Sequence, residues 1–317
     1  MSANGLVTIG EAMAVCTATQ VGPLRQARTL QLGVAGSEFN VAVAARRLGV
    51  PSAWVGRVGD DEFGALVLRE LRAEQVDAGM VVVDPERQTG VMFKERRTSR
   101  GGSVRYYRAG SAGSNLGPDD LDAERIGAAG VLHVTGITPA LGDRPRAAVE
   151  RAIDAARQGG ATVSFDLNYR SRLWDRDRAA AVLAGLVARA DLVFGGDDEA
   201  AMLVGPGEPA RLAEGLAALG PKEAVVKLGA RGAVAWAGGE AHAVDALPVA
   251  AIDPVGAGDA FVAGYLAMVL EGAGVAERLD VARTAGAFAV TVVGDWEGAP
   301  TREELRLLAG EDGTITR

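Results

Sequence analysis

The stretch IDPVGAGDAFVAGY, residues 252–265, poses the question from which the fold is read. Small residues at 256–258 run straight into an apolar stretch, the pattern of a turn opening a buried helix. Residues without bulk let backbone N–H groups come close to an anion. A helix beginning near Asp259 adds its own free N–H groups and partial positive charge. Yet Asp259 places a carboxylate at that spot. Two readings are open from the local sequence. In one, Asp259 caps the helix, as aspartate often does. In the other, it is a base beside anion-binding donors, which is what phosphoryl transfer to an alcohol requires. Two other phosphate motifs do not fit. No GxxxxGK[ST] run occurs. Phe261 stands where a dinucleotide fingerprint needs its third glycine, which argues against a nicotinamide oxidoreductase.

Outward from this stretch, apolar β-type runs alternate with Ala-, Leu- and Arg-rich helical patterns. Strands are expected at 6–9, 53–58, 131–134, 162–167, 192–194 and 224–228, and helices at 38–48, 62–74, 146–158, 176–189 and 208–219. This spacing implies βαβ crossovers: an α/β fold with a mostly parallel central sheet flanked by helices. Ligands in such folds bind at the carboxyl ends of the strands. Two regions, 11–35 and 88–109, break the rhythm with strand-like pieces and no helix between them. The pieces 89–94 and 104–108 flank the turn SRGG and read as a hairpin. They form either a small inserted antiparallel β-sheet, projecting as a lid, or an edge extension of the main sheet. Repeats, low-complexity tracts and linkers are absent, so the expectation is one domain over 1–317 with a lid.

Composition narrows the partners. Apolar residues make up 48% of the 317 and aromatics 5%, so the core is expected to be mostly Ala, Val and Leu. The net charge is −8 with scattered basic residues, which disfavours nucleic acid and anionic membranes. The single cysteine, Cys16, excludes an internal disulfide and fits a reducing cytosol. With only His133 and His242 beside it, a zinc site is disfavoured. Residues 1–10 lack the basic start and apolar run of a secretory signal, and the apolar run 260–270 is too short to cross a bilayer. A cytoplasmic protein is expected.

DPVGAGDAFVAGYL (253–266) resembles the C-terminal signature of the PfkB (ribokinase-like) carbohydrate kinases, in which the aspartate is the catalytic base. AGSEFNVAVAARRLG (35–49), followed by VGRVGDDEFG, resembles the family's first signature, and TIGEAM (8–13) its first strand. The resemblance covers nearly the whole chain. It implies a ribokinase-like fold, ATP and Mg²⁺ as cofactors, and Asp259 as general base. The amides of Gly256, Ala257 and Gly258 would surround the transferred phosphoryl group. In VVKLGARGA (225–233), Lys227, Gly229, Ala230 and Gly232 would lie along the nucleotide. The Ala-rich stretch 285–290 either walls the adenine or belongs to the core. The family's N-x-x-E motif reads GDDE at 196–199, with Gly196 in place of asparagine. Glu199 is then either a metal-site residue acting through water or an acidic helix start. Some members respond to a monovalent cation such as K⁺; Asp253 either takes part in this or makes an ordinary Asp-Pro turn.

The fold does not name the sugar. In VRYYRAGSAGSNL (104–116), Tyr106 and Arg108 share one strand face. That pair either grips a carboxylate or is ordinary exposed surface. SFDLNYRSRLW (164–174) brings Asn168 and Arg170 to a strand's carboxyl end, for phosphate or sugar contacts or as a solvated turn. With HVTGITPAL (133–141) and GDWEGAP (294–300), these stretches resemble the branch of the family acting on 2-keto-3-deoxygluconate. That resemblance implies a backbone contact from Gly36 to the sugar. It puts Tyr106, Arg108 and Arg170 at the carboxylate end, Ile137 in the pocket wall, Asp295 near the sugar, and Asn40 as a further contact. Met92 stands where some relatives carry an aromatic residue. The expected activity is ATP-dependent phosphorylation of a sugar acid at its terminal (6-) hydroxyl. A kinase for fructose, ribose or an epimeric keto-deoxy acid is the alternative, and a silent sugar-binding protein is another. The basic loop RRTSRGG (96–102) either attracts an anionic substrate or is a soluble tip. Edges and an apolar face on the lid favour a homo-oligomer.

Overall fold

Short apolar runs between amphipathic helices have no face to give to water, so they pair side by side. In a computed structural model, which describes residues 5–98 and 102–308, the strands in chain order are β1 (Leu6–Ile9), β2 (Met13–Val21), β3 (Leu30–Ala35), β4 (Ser52–Gly59), β5 (Asp77–Asp84), β6 (Val91–Arg96), β7 (Gly102–Tyr107), β8 (Val131–Thr135), β9 (Thr162–Asp166), β10 (Leu192–Gly196), β11 (Glu223–Lys227), β12 (Ala233–Ala237) and β13 (Glu240–Val244). Nine of them make one sheet in the order β13-β12-β11-β10-β9-β8-β1-β4-β5. It is parallel from β11 to β5, with β12 and β13 antiparallel at one edge. The other four form a separate sheet in the order β3-β2-β6-β7, so the pieces at 11–35 and 88–109 do not extend the main sheet. This sheet is mixed rather than antiparallel throughout, because β2 and β6 come from separate β-hairpins and pair in parallel.

Successive side chains of a strand face opposite sides, and β1 feeds two cores in this way. Leu6 packs with Val41, Phe261 and Leu266, from helices Ser37–Arg47 and Ala257–Leu270. Val7 and Ile9 pack on the other side with Ala152, Leu183 and Leu212, from helices Asp143–Gly159, Arg176–Val187 and Pro209–Ala218. The cores are mostly Ala, Val and Leu, each buried Val or Leu contributing about 1.5–3 kcal/mol. The few aromatics are concentrated: Phe39 sits edge-on to Trp54 and Trp296 at 6.2 and 6.0 Å. The Ala-rich stretch belongs to helix Val275–Ala289, where Ala285 and Ala289 pack on Ala260.

Elements the sequence pattern did not announce are β5, which is half-exposed at its edge of the sheet, and β13. Helix Asp143–Gly159 starts three residues before the expected 146, because Pro145 occupies the first turn, where its missing N–H is harmless. The hairpin expected at 89–94 and 104–108 is β6 and β7, registered Met92 to Tyr106 and Phe93 to Arg105. Most of the SRGG turn, and with it the tip of the basic loop, lies outside the described residues. Met13, Val15, Ala35 and Met92 form the inner apolar face of the small sheet. On its outer face Tyr107 meets the Phe93 ring edge-on at 5.6 Å.

Candidate active site

The carboxyl ends of β1, β8, β9 and β11 open on one rim, and the small sheet overhangs it. Between them lies a cleft of about 1120 Å³, lined by Met92, Tyr106 and Arg108 from one side and Gly36, Asn168 and Asp259 from the other.

Helix Ala257–Leu270 starts at the floor of this cleft. Its N-cap is Gly256 with φ 77°, and a Cβ there would come within 1.7 Å of the Asp295 carbonyl oxygen. Only glycine fits. No side chain caps this helix, so its first N–H groups are free at the cleft. Asp259 therefore does not cap its own helix. Its Oδ1 accepts from the Ser37 hydroxyl and its Oδ2 from the Asn40 amide, both at 2.7 Å. Both donors stand on the first turn of helix Ser37–Arg47, three positions apart, where a helix puts side chains on one face. Asn168, with φ 40°, donates in turn to Ser37 Oγ at 2.7 Å. Burial pushes the Asp259 carboxyl up to about 6, against the pull of its two donors.

Beside Ser37, Glu38 is fully buried. Its Oε1 accepts from the hydroxyls of Thr135 at 2.7 Å and Thr138 at 3.0 Å. Burial still outweighs those bonds and pushes its carboxyl up to about 7.

On the β9–β11 side, Lys227 is paired with Asp166. Burial works against that ammonium, but Asp166 and Glu199 outweigh it and hold its pKa above the ordinary lysine value. Glu199 closes the start of helix Asp197–Val204, accepting from Gly196 N and Tyr169 N at 2.7 Å each. Burial and the Asp166 charge raise its pKa. Gly229 (φ 58°) and Gly232 (φ 95°) bracket a tight turn after β11. This turn, with exposed Ala230, lies beyond the residues that line the cleft. Asp253 accepts from Val255 N of its own loop at 3.1 Å, as an Asp-Pro turn does, and from Gly294 N of the loop carrying Asp295 at 3.3 Å.

At the opposite end, Tyr106 and Arg108 face the cleft together, with the guanidinium 5.8 Å from the ring centre. Arg108 Nε donates to Glu11 at 2.7 Å. Asp295 is paired with Lys94 of β6; burial raises the Asp295 carboxyl and the ammonium opposes it. Ile137 is half-buried in the cleft wall, and Arg170 is exposed at the rim. Arg172 reaches from the loop after β9 to the Val104 carbonyl of β7.

Sequence reasoning passed over Ser37, Glu38, Glu11, Lys94, Asp166 and Arg172. Ser37 and Lys94 carried a local signal, standing three residues before Asn40 and two after Met92. Glu11 and Asp166 gain their roles only from partners far along the chain.

Free amides beside a half-buried lysine suit a nucleotide's phosphates. Among the described residues no group of three or more His, Cys, Asp or Glu could hold a metal. Mg²⁺ is commonly held by one or two carboxylates together with phosphates and water, and Asp166 and Glu199 are the carboxylates beside Lys227.

The chain matches the pfkB family carbohydrate kinase over residues 3–302. It is 40% identical over 307 residues to a 2-dehydro-3-deoxygluconokinase of Thermoproteus tenax, covering 96% of this chain and 93% of that protein. It is 34% identical to a 2-dehydro-3-deoxygluconokinase of Bacillus subtilis (strain 168), covering 98% and 96%. A solved structure, a putative Ribokinase II from E. coli in complex with ATP and Mg²⁺, is similar with a TM-score of 0.91 at 27% identity, covering 98% of this chain and all of that one.

Glu38 yields a stability prediction. Its folded pKa of about 7 lies above the ordinary 4.5. Between those values the folded state keeps a proton that the unfolded chain has lost, so stability falls as pH rises through that window and is flat above it. Glu38→Gln keeps the acceptor for the two threonines without the charge. Melts should show it more stable than the parent at pH 8 by up to about 3 kcal/mol, with the gain vanishing towards pH 4.5. A difference independent of pH would contradict this.

Proposed function

Because the chain belongs to the pfkB family of carbohydrate kinases, we propose that it transfers the γ-phosphoryl group of ATP to the terminal 6-hydroxyl of 2-keto-3-deoxygluconate, giving the 6-phosphate. The observation that carries this reading is the position of Asp259: its carboxylate and the free amides of one helix start meet in the cleft that also holds Tyr106 and Arg108. The sugar acid lies with its carboxylate towards Arg108, Tyr106 and Arg170, and its far end towards Asp259. The carboxylate of Asp259 takes the proton of the 6-hydroxyl, whose oxygen attacks the γ-phosphorus in line as the bond to the β,γ-bridging oxygen breaks and ADP leaves. The N–H groups at Ala257 and Gly258 stabilise the charge on the transferred group. Ser37 and Asn40 keep the base aimed into the cleft. Lys227 and the turn Gly229–Gly232 line the path of the nucleotide. Mg²⁺, when bound, would neutralise charge on the phosphates, and Asp166 and Glu199 are the side chains that would hold it through water.

The small sheet acts as the lid of a single domain, excluding water so that ATP is not hydrolysed wastefully. A cytoplasmic location belongs to the same reading; no helix among the described residues is long and apolar enough to cross a membrane.

Asp259→Asn should lower turnover by about 100-fold or more while ATP still binds, as expected for loss of a general base. In the parent enzyme kcat/KM should rise with pH through about 6, where Asp259 loses its proton, and then level off. Near-normal turnover in the variant would refute the role. A substrate panel read by ADP release should favour 2-keto-3-deoxygluconate over its epimer, fructose and ribose. Arg108→Ala should cost the keto acids at least about 10-fold more than the neutral sugars, and equal losses would remove the carboxylate contact. Two copies pair through the outer face of the small sheet, where Leu30, Leu32 and Tyr107 are exposed. Sedimentation should detect a dimer or larger assembly, and a monomer at high protein concentration would exclude the pairing.

A further inference from the structure

One buried side chain sits where the crossings between the two sheets meet. Glu11, between β1 and β2, is 3% exposed. The space around it is made by glycines of three other crossings. A Cβ on Gly113, after β7, would come 2.3 Å from Glu11 Cγ. One on Gly90, before β6, would come 2.9 Å from Oε1, and one on Gly36, after β3, 2.3 Å from the Glu11 carbonyl oxygen. Within this space Oε1 accepts from the Ser111 hydroxyl, and Oε2 takes both Nε and Nη2 of Arg108. The side-on edge of the guanidinium is thereby used up. Its Nη1 has no protein partner among the described residues, and Arg108 lines the cleft.

We propose that Glu11 is a positioning residue that sets substrate preference: it fixes the Nε edge of Arg108 at the junction of the sheets and so presents the Nη1 edge to the carboxylate of a sugar acid. The proposal rests on the sugar-acid reading above. An unheld arginine just past the end of β7 would sample many rotamers, and ordering it would weaken binding each time substrate arrived. The Glu11–Arg108 pair is also neutral overall, so the site offers an oriented donor rather than an attraction for any anion.

The test is a double-mutant cycle in the full-length enzyme, with MgATP and 2-keto-3-deoxygluconate. Glu11→Ala should raise the sugar-acid KM about 10-fold, with kcat and the ATP KM within about 3-fold of the parent. In an Arg108→Ala background, removing Glu11 should have no further effect, because its influence runs through Arg108. Glu11→Gln keeps an acceptor for the guanidinium and should restore KM to within about 3-fold of the parent. If the alanine variant does not fold, the glutamine variant carries the cycle, with its smaller rise abolished when Arg108 is absent. Multiplying effects in the double variant would overturn the proposal. So would parallel changes in kcat and the ATP KM, which mark a general structural role. A fall in KM for Glu11→Ala would also overturn it, since the carboxylate would then act only by repelling substrate. If Arg108→Ala alone leaves the sugar-acid KM unchanged, the sugar-acid reading itself fails and this proposal falls with it.

Discussion

Helix Ala257–Leu270 can begin at the cleft floor only because Gly256 has no side chain to meet the Asp295 carbonyl. That contact fixes three things at once. It aims the uncapped N–H groups of the helix into the cleft. It puts the Asp259 carboxylate within one turn of them. It also ties the loop carrying Asp295 to the same point, so the two ends of the cleft share a backbone contact. Opposing forces then act on the Asp259 carboxyl. Burial favours its protonated form, and the hydroxyl of Ser37 and amide of Asn40 favour the ionised one. The result near 6 leaves a carboxylate mostly ionised at neutral pH but more basic than a solvated aspartate, which is the compromise general-base chemistry requires.

The same cleft pairs three of its cations with carboxylates: Lys227 with Asp166, Lys94 with Asp295, and Arg108 with Glu11. Such pairs are costly to break one partner at a time. Their effect is to hold donors in place rather than to create a strongly positive surface. This explains how a chain with a net charge of −8 can present sites suited to anionic ligands. One pair, Lys94 with Asp295, joins the small sheet to the main body, and another, Arg108 with Glu11, ties two of the crossings together.

Much of the architecture was legible because the parallel strands are short, apolar and separated by helices of the right length. Strand β5 was not, since it is half-exposed and interrupted by Gly79. The small inserted sheet was expected from the break in the strand–helix rhythm, but β-type alternation alone, which looks the same in a separate sheet and in an edge extension, did not show that β2 and β6 pair in parallel. At the site, GAGD and the Tyr106–Arg108 alternation could be read locally. What could not be read was the state of those side chains. Asp259 is held by Ser37 from 222 positions away, and Arg108 by Glu11 from 97. Glu199 shows the same limit, since its acidic helix start is visible in the sequence but its bond to the Tyr169 amide is not.

The most direct measurement is a crystal structure with ADP, a planar phosphoryl mimic and 2-keto-3-deoxygluconate bound together. The 6-hydroxyl should lie within about 2.6–3.2 Å of the Asp259 carboxylate, with the mimic resting on the amides of Ala257 and Gly258. A sugar bound with that hydroxyl elsewhere, and Asp259 engaged only by Ser37 and Asn40, would contradict general-base catalysis by Asp259.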